Sequence, residues 1–274
     1  MTAKTRKTPP PLIEKALVDS VQLTRYAVKE KKPDKHDPVL TTQGLAAFID
    51  KGVSSWKLDL SQQQVITPAQ TATPYAKVSA EWLDTHQALE RGIEVIHGGS
   101  ANSFGGMGTL LVPNDFRIPA VLTDRHNVKH YGLGLIDDSA EFPVSCRRYE
   151  IALMRYFYSS RYRNDFLMQS HGGGGIFVET HDFPHLHIPL SEDCGGYIVI
   201  GKKIAANEYH FTAFQIPYGY ALYTPSNTIH GDGTLVGEYA ITVADSAYCP
   251  ANTVVMYSKE TLAMAREIVP RWND

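Results

Sequence analysis

The chain predicts a mainly β fold with helical additions at both ends, and three observations lead there. From residue 93 the character of the sequence changes to short apolar runs punctuated by Gly and Pro, such as "IEVIHGG", "GTLLVP", "RIPAVLT" and "HYGLGLI", which is a strand pattern. A second series follows: "GGIFVE", "HLHIPL", "GYIVIGKK", "YHFTAFQIP", "YALYTP", "GEYAITVA" and "TVVMYS". Turn residues separate nearly all of these runs, and no helix-length segment intervenes. Repeated strands without alternating helices argue for an antiparallel barrel or sandwich rather than a parallel α/β sheet.

The elements follow in order. Residues 1–40 are polar and rich in Lys and Pro, as in "KEKKPDKHDP", and read as a partly disordered lead-in. Residues 41–92 read as a helical segment. In "TTQGLAAFIDKG", Thr42 caps a short helix, Leu45, Phe48 and Ile49 form its apolar face, and Gly52 ends it. In "SAEWLDTHQALERG", Ser79 is the expected N-cap, Trp82, Leu83 and Leu89 share a face, and Gly92 is the stop. Strands then occupy 93–257, with an inserted helix near 145–165. There, in "CRRYEIALMRYFYSSRYRNDF", Tyr149, Leu153 and Tyr156 recur at helical spacing. The last segment, 258–274, reads as a helix that starts near Ser258 and stops at Pro270.

Composition excludes several classes. The chain has 274 residues, 43% of them hydrophobic and 20% charged, as in folded globular proteins. No run approaches the roughly 18 apolar residues that a membrane span needs, so no membrane partner is expected. The basic N-terminus "MTAKTRKTPPPLIEK" lacks the apolar core of a signal peptide. Net charge is −3 and there is no long basic run, which argues against nucleic acid. Cys146, Cys194 and Cys249 are far apart and odd in number, so a reducing compartment, the cytoplasm, is expected.

The stretch "HDFPHLHIPL" stands out. His171, His181, His185 and His187 fall close together in a chain with 11 histidines. On a strand, His185 and His187 point to the same face, a spacing that suits two nitrogen ligands for one ion. A further signal begins at Gly219, in "GYALYTPSNTIHGDG". It reads as a strand, a tight turn at Pro225-Ser226-Asn227, and His230 on the returning strand. Asn tolerates the left-handed backbone such a turn requires.

Together the two segments resemble the paired motifs of the cupin superfamily, over about residues 170 to 257. The first motif, HxH followed by a Glu and a strand ending in Gly, matches at His185, His187 and Gly201. The second, G-x5-P-x-G-x2-H-x3-N, matches at Gly219, Pro225 and His230, with Asn227 in the Gly position and Thr234 in the final Asn position. The position six before His185 is Glu179 where the family has Gly. The resemblance implies a cupin-type antiparallel jelly-roll barrel with metal ligands at His185, His187 and His230. For the fourth ligand, the spacing after His187 favours Glu192, while counting back from Gly201 lands on Cys194. A three-histidine site is the remaining alternative.

Such a ligand set leaves open positions on a divalent metal, with Fe(II) favoured and Mn, Ni, Co and Zn compatible. The implied function is a metal-dependent enzyme on a small polar metabolite, first an Fe(II)-type oxygenase. The alternatives are a cupin isomerase, epimerase or lyase, and a non-catalytic binding barrel. Glu179, His181, Tyr223 and Glu238 are the candidates for acid–base work on or beside the barrel strands, His181 also as a pocket-rim residue. Cupins are often dimers, so a homodimer is expected. The competing motifs fail on context. "HGGGG" at His171 has no GxSxG partner, "HGD" at His230 has no later histidine, and the glycines of "GGSANSFGGMG" lack a strand–turn–helix setting. His210 reads as structural.

Overall fold

In the computed structural model, residues 12–49, 56–58, 60, 64–69, 73–95, 107–142, 148, 150–169, 171–245 and 249–265 are described. Helix α1 (Leu12–Val21) leads into β1 (Thr24–Lys29) and the long β2 (Lys32–Ile49). Short strands β3 (Trp56–Lys57), β4 (Ala76–Ser79) and β5 (Glu81–Leu83) precede helix α2 (Thr85–Glu90). Next come β6 (Gly108–Val112), β7 (Ala120–Leu122), β8 (Gly134–Ile136) and β9 (Glu141–Phe142). Strand β10 (Ile151–Tyr158) and a π-helical turn at Arg163–Leu167 lead to β11 (Phe177–Thr180) and β12 (His185–Pro189). The chain continues through β13 (Gly195–Ala205), β14 (Glu208–Gln215), β15 (Ala221–Thr224), β16 (Ile229–Val243) and β17 (Asn252–Ser258).

The protein is mainly β, as expected. Among the described residues fifteen strands form one ladder network, and β16 divides it into two leaves. Through Ile229–Val236 it pairs with β13, and His230 pairs with Glu179 of β11. Through Gly237–Val243 it pairs with β10, and Tyr239–Ile241 pair with β12. One leaf thus runs β1-β2-β10-β16-β12-β15-β8, and the other β5-β6-β17-β11-β16-β13-β14. Strands β4 and β7 share the far side of β14. The pairings are antiparallel except β14 with β7 and β17 with β6. Among the described residues the network stays open, so the ladders alone do not close a barrel. No helix of the described residues is long and apolar enough to cross a membrane.

Gly237 marks the junction. Its φ is +97°, and an added Cβ would meet Cys194 Cα and Sγ at 3.0 Å. A strand that passes from one leaf to another must bend, and glycine provides the bend without a Cβ penalty. Most of the apolar core, including Phe211, Phe214, Met154 and Val254, fills the interior. A smaller cluster with Leu186, Ile188, Ile151 and Leu153 covers the other face of β12. That explains why all five residues of β12 are buried.

Several local expectations change. The segment of Leu45, Phe48 and Ile49 is part of strand β2, paired with β10. Residues of the expected inserted helix form β10, where buried Met154, Tyr156 and Tyr158 alternate with exposed Arg155 and Phe157. The period is two, and the helical spacing of Leu153 and Tyr156 is incidental because residues on both faces are apolar. Ser79 and Trp82 lie on strands, and α2 is capped instead by Asp84, whose side chain accepts from Gln87 N while Gln87 returns the bond. Gly92, with φ +72°, does follow the helix. Ser258–Ala265 form a turn and a bridge from Met264 to Tyr257, where a helix was expected, and the remainder to Asp274 lies outside the described residues. The lead-in is ordered from Leu12 onward as α1, β1 and β2. Cys146, Tyr149 and Gly52 also lie outside the described residues.

Replacing Gly237 with Ala should lower the stability by about 1–3 kcal/mol, because the left-handed backbone and the contact with Cys194 both resist a Cβ. Urea denaturation followed by fluorescence checks this through a lower midpoint at unchanged slope.

Candidate metal centre

The two leaves bring four donor groups together. Glu179, His181, His185 and His230 each place one ligand atom so that all lie within 4.8 Å of one another. Glu179 lies on β11, His181 follows its last residue, and His185 opens β12. His230 lies directly across the ladder from Glu179, so their side chains share a face. Gly231 permits this close approach, since a Cβ there would sit 2.2 Å from the Phe177 carbonyl oxygen.

Backbone and side-chain bonds orient the rings. The turn before β16 forms as the sequence predicts: Asn227 has φ +62°, and Thr228 N–H donates to the Pro225 carbonyl at 3.3 Å. Asn227 N–H also donates to the His181 carbonyl at 2.8 Å, which ties this turn to the β11–β12 link. The His230 Nδ1–H donates to the Thr228 carbonyl at 2.9 Å. Its Nε2 lone pair therefore faces the cluster, buried, without a hydrogen-bond partner, and 3.7 Å from Glu179 Oε1. Thr242 Oγ1 donates to the Pro184 carbonyl and accepts from Leu186 N–H, so toward His185 Nδ1 at 3.3 Å it can only accept. That assigns the His185 proton to Nδ1 and leaves Nε2 as a donor atom. The His181 ring stacks on Phe183 with centroids 3.7 Å apart. Glu179 Oε2 accepts from Thr253 Oγ1 at 2.9 Å. Each ligand side chain thus has an outer partner that fixes its aim.

The electrostatics suit neutral imidazoles. Burial, reinforced by the neighbouring rings, holds the pKa of His185 and His187 well below 6.5 and pushes His181 down to about 3. Burial raises the Glu179 carboxyl, and His230 partly offsets this. A metal ion takes neutral imidazole and ionised carboxylate. The spacing fits as well. Ligands about 2.1 Å from one ion lie about 3 Å apart when adjacent and about 4.2 Å apart when opposite. His181 Nε2 and His185 Nε2 share a hydrogen bond at 2.8 Å in the metal-free protein, and that separation is close to the adjacent value. A buried polar atom without a partner costs about 1–3 kcal/mol, so an ion that engages His230 Nε2 removes a cost the fold otherwise carries.

The structure redistributes the residues expected from sequence. His185 and His230 are in the cluster. Glu179 and His181, expected as acid–base groups, stand among the potential ligands. His187 is buried with its ring 5.0 Å from His185 and its Nδ1 without a partner, but it lies outside the four-residue group. Glu192 is exposed in the turn between β12 and β13, outside the cluster. Cys194 in the same turn donates to the Glu238 carbonyl at 2.9 Å. Tyr223 pairs with Leu186 and packs against the smaller apolar cluster, on the opposite face from the histidines. Glu238 pairs with exposed Phe157, also away from the cluster. His210 stacks on exposed Tyr75 with centroids 4.0 Å apart, beside His130. The sequence signal for the added ligands is only that Glu179 and His181 lie close to the HxH segment; His181 follows the last residue of β11, so strand alternation does not place it beside Glu179.

Glu179, His181 and His185 line a cavity of about 550 Å³. Its other walls include Val21, Leu23 and Arg25 from the N-terminal segment and Cys249 and Thr253 before and on β17. This volume lies in the range of small-molecule sites. No protein-family model, curated protein or solved structure matches this chain.

The metal-free chain should lose stability on acidification. His181, His185 and His187 stay neutral when folded, whereas each takes up a proton below about pH 6.5 when unfolded. The unfolded state then binds more protons, so each such histidine removes about 1.4 kcal/mol per pH unit below that pH. For His181 the loss continues to about pH 3. The raised carboxyls of Glu179 and Asp232 act in the opposite sense, but they are two against three. Urea midpoints of chelator-treated protein should therefore fall from pH 6.5 to pH 5. An unchanged or rising midpoint would show that these histidines are charged in the fold.

Proposed function

We propose that this chain is a metal-dependent enzyme acting on a small polar metabolite, built on a cupin-type scaffold, with Fe(II) oxygenase chemistry as the leading reaction class. The observation that carries the reading is the convergence of three imidazoles and one carboxylate, of which Glu179, His181 and His185 line an open cavity. A purely structural polar cluster would satisfy its own donors and acceptors, whereas here His230 Nε2 faces the cluster unpaired.

In this reading Glu179, His181, His185 and His230 hold the ion. A bound Fe(II) would supply dioxygen activation and polarise a chelated oxygen of the substrate. The chain's own residues do the rest. Thr228, Thr242 and Thr253 hold His230, His185 and Glu179 in place, and this limits the motion needed on binding. The apolar wall from Val21, Leu23 and Met107 excludes water and positions the substrate body. His187, buried with its ring 5.0 Å from that of His185 and its Nδ1 unpaired, backs the cluster as a neutral ring.

Elemental analysis of protein purified without a His tag should find about one divalent ion per chain. Glu179→Ala and His230→Ala should each lower the affinity for that ion by about tenfold or more, while Glu192→Ala keeps it. A folded wild type that neither carries nor takes up metal would overturn the reading. With metal in place, turnover that consumes dioxygen supports the oxygenase class. Full activity with Zn or Mn under nitrogen would instead assign Lewis-acid isomerase or lyase chemistry.

A further inference from the structure

A second group of rings stands apart from the metal centre, and none of its residues lines that cavity. His210 of β14 and His130 of the short helical turn Asn127–Tyr131 share a hydrogen bond, His210 Nδ1 to His130 Nε2, at 3.1 Å. Their planes differ by only 16° and their centroids lie 5.3 Å apart, so the rings sit end to end in one layer. The planes of His181 and His185, by contrast, cross at 76°. Nitrogens that face each other in line make a hydrogen bond rather than a shared metal site. Tyr75 covers both rings of the layer at once. Its centroid is 4.0 Å from His210 and 4.8 Å from His130, with planes 16° and 1° apart.

The layer is rigidly held, and it is flanked by charge. Thr212, two residues after His210 on β14, donates to the Pro74 carbonyl and accepts from Tyr131 Oη, both at 2.7 Å. Thr73 Oγ1 donates to the Asn127 carbonyl at 3.0 Å. The segment of Tyr75 is thus tied to both elements that carry the histidines. With one face on the imidazoles, Tyr75 is still 46% exposed, so its other face is turned outward. In the ladders His210 pairs with Lys202 of β13 on one side and with Lys77 of β4 on the other. All three side chains therefore leave the sheet on one face, with the two lysine backbones about 10 Å apart. Lys202 Nζ donates to the His130 carbonyl at 3.2 Å and, among the described residues, meets no carboxylate. Lys77 meets Glu208 at 3.0 Å in an exposed pair, which binds it only weakly. Burial, aided by the neighbouring charges, holds both imidazoles below 6.5, so the ammonium groups supply the charge of this surface.

We propose that this platform is a second binding site, for a nucleoside phosphate, with the base stacked on the outward face of Tyr75 and the phosphates held by Lys202 and Lys77. The inference does not depend on the metal-centre reading. Stacking a base on an aromatic side chain contributes about 1–3 kcal/mol. A ring already fixed by its own stack loses little freedom when a second ring settles on it. An outward ring alone would suit any flat molecule. The lysines on either side select one that carries an anionic group within reach of the ring. Two ammonium groups match the few charges of a single nucleotide. A nucleic-acid strand needs a basic groove that follows several phosphates, and this chain carries a net charge of −3.

The test uses the full-length protein with whatever metal it holds, in buffer without added magnesium. Calorimetric titration compares ADP with adenosine and with inorganic pyrophosphate, each of which keeps only half of the recognised chemistry. ADP should bind with a Kd of about 1 mM or tighter, and about tenfold more tightly than either half. High salt should weaken ADP and leave adenosine nearly unchanged. Tyr75→Ala should weaken ADP about fivefold or more, while Tyr75→Phe retains it. Lys77→Met and Lys202→Met together should bring ADP down to the level of adenosine, with the metal content unchanged. No binding of ADP, or equal binding of ADP and pyrophosphate, overturns the inference in the wild type alone, so it stays testable if a variant fails to fold. Undiminished binding by a folded Tyr75→Ala places the nucleotide elsewhere and also overturns it. So does tighter binding of an oligoadenylate than of ADP, which would assign the surface to a nucleic-acid strand. A chain that takes up no metal but binds ADP as expected fells the metal reading and supports this inference.

Discussion

Strand β16 makes ladders with four other strands, and the backbone turns at Gly237 between the two sets. Its first half carries His230 into the leaf that holds Glu179, while its second half supports β12, the strand of His185 and His187. Without this shared strand the donor groups would belong to separate leaves with no fixed relation. The bend thus sets the distance between the two halves of the candidate metal centre. Glycine suits this place because the left-handed backbone and the neighbouring Cys194 both resist a Cβ.

Burial is the second constraint, and it works in two directions. It removes the histidine cluster from water, which keeps the imidazoles neutral and their lone pairs available. The same burial leaves His181 Nδ1, His187 Nδ1 and His230 Nε2 without partners. At about 1–3 kcal/mol each, three such atoms amount to a large part of the 5–15 kcal/mol that typically separates folded from unfolded states. A fold that retains this cost at one place is arranged for something other than stability alone. The hydrogen bonds at the Thr228 carbonyl and the Thr242 and Thr253 hydroxyls point the same way, since they engage one atom each of His230, His185 and Glu179 and leave the other turned to the cluster.

The N-terminal segment completes the cavity. The end of α1 and the start of β1 form one wall, fastened by the Tyr156 bond to Val21 and by the pair of bonds between Thr42 and Leu23. Arg25 therefore reaches the interior from a part of the chain more than 150 residues away from the histidines.

The sequence by itself determined the β-rich class, the same-face pairing of His185 and His187, and the turn at Asn227 that returns the chain to His230. These are local matters: they depend on strand period, turn chemistry and the conformational tolerance of one residue. The tertiary structure decided which donors meet. Glu192 sits at a family-like spacing but lies in an exposed turn, whereas Glu179 is opposite His230 because of a ladder register that no local pattern records. The segments around Leu45 and Tyr156 carry apolar residues on both faces, so helical and strand periods fit them about equally, and only the pairing of β2 with β10 settles the matter. The part played by the N-terminal segment was not legible at all, since Val21, Leu23 and Arg25 become cavity wall only through the distant strands they pack beside.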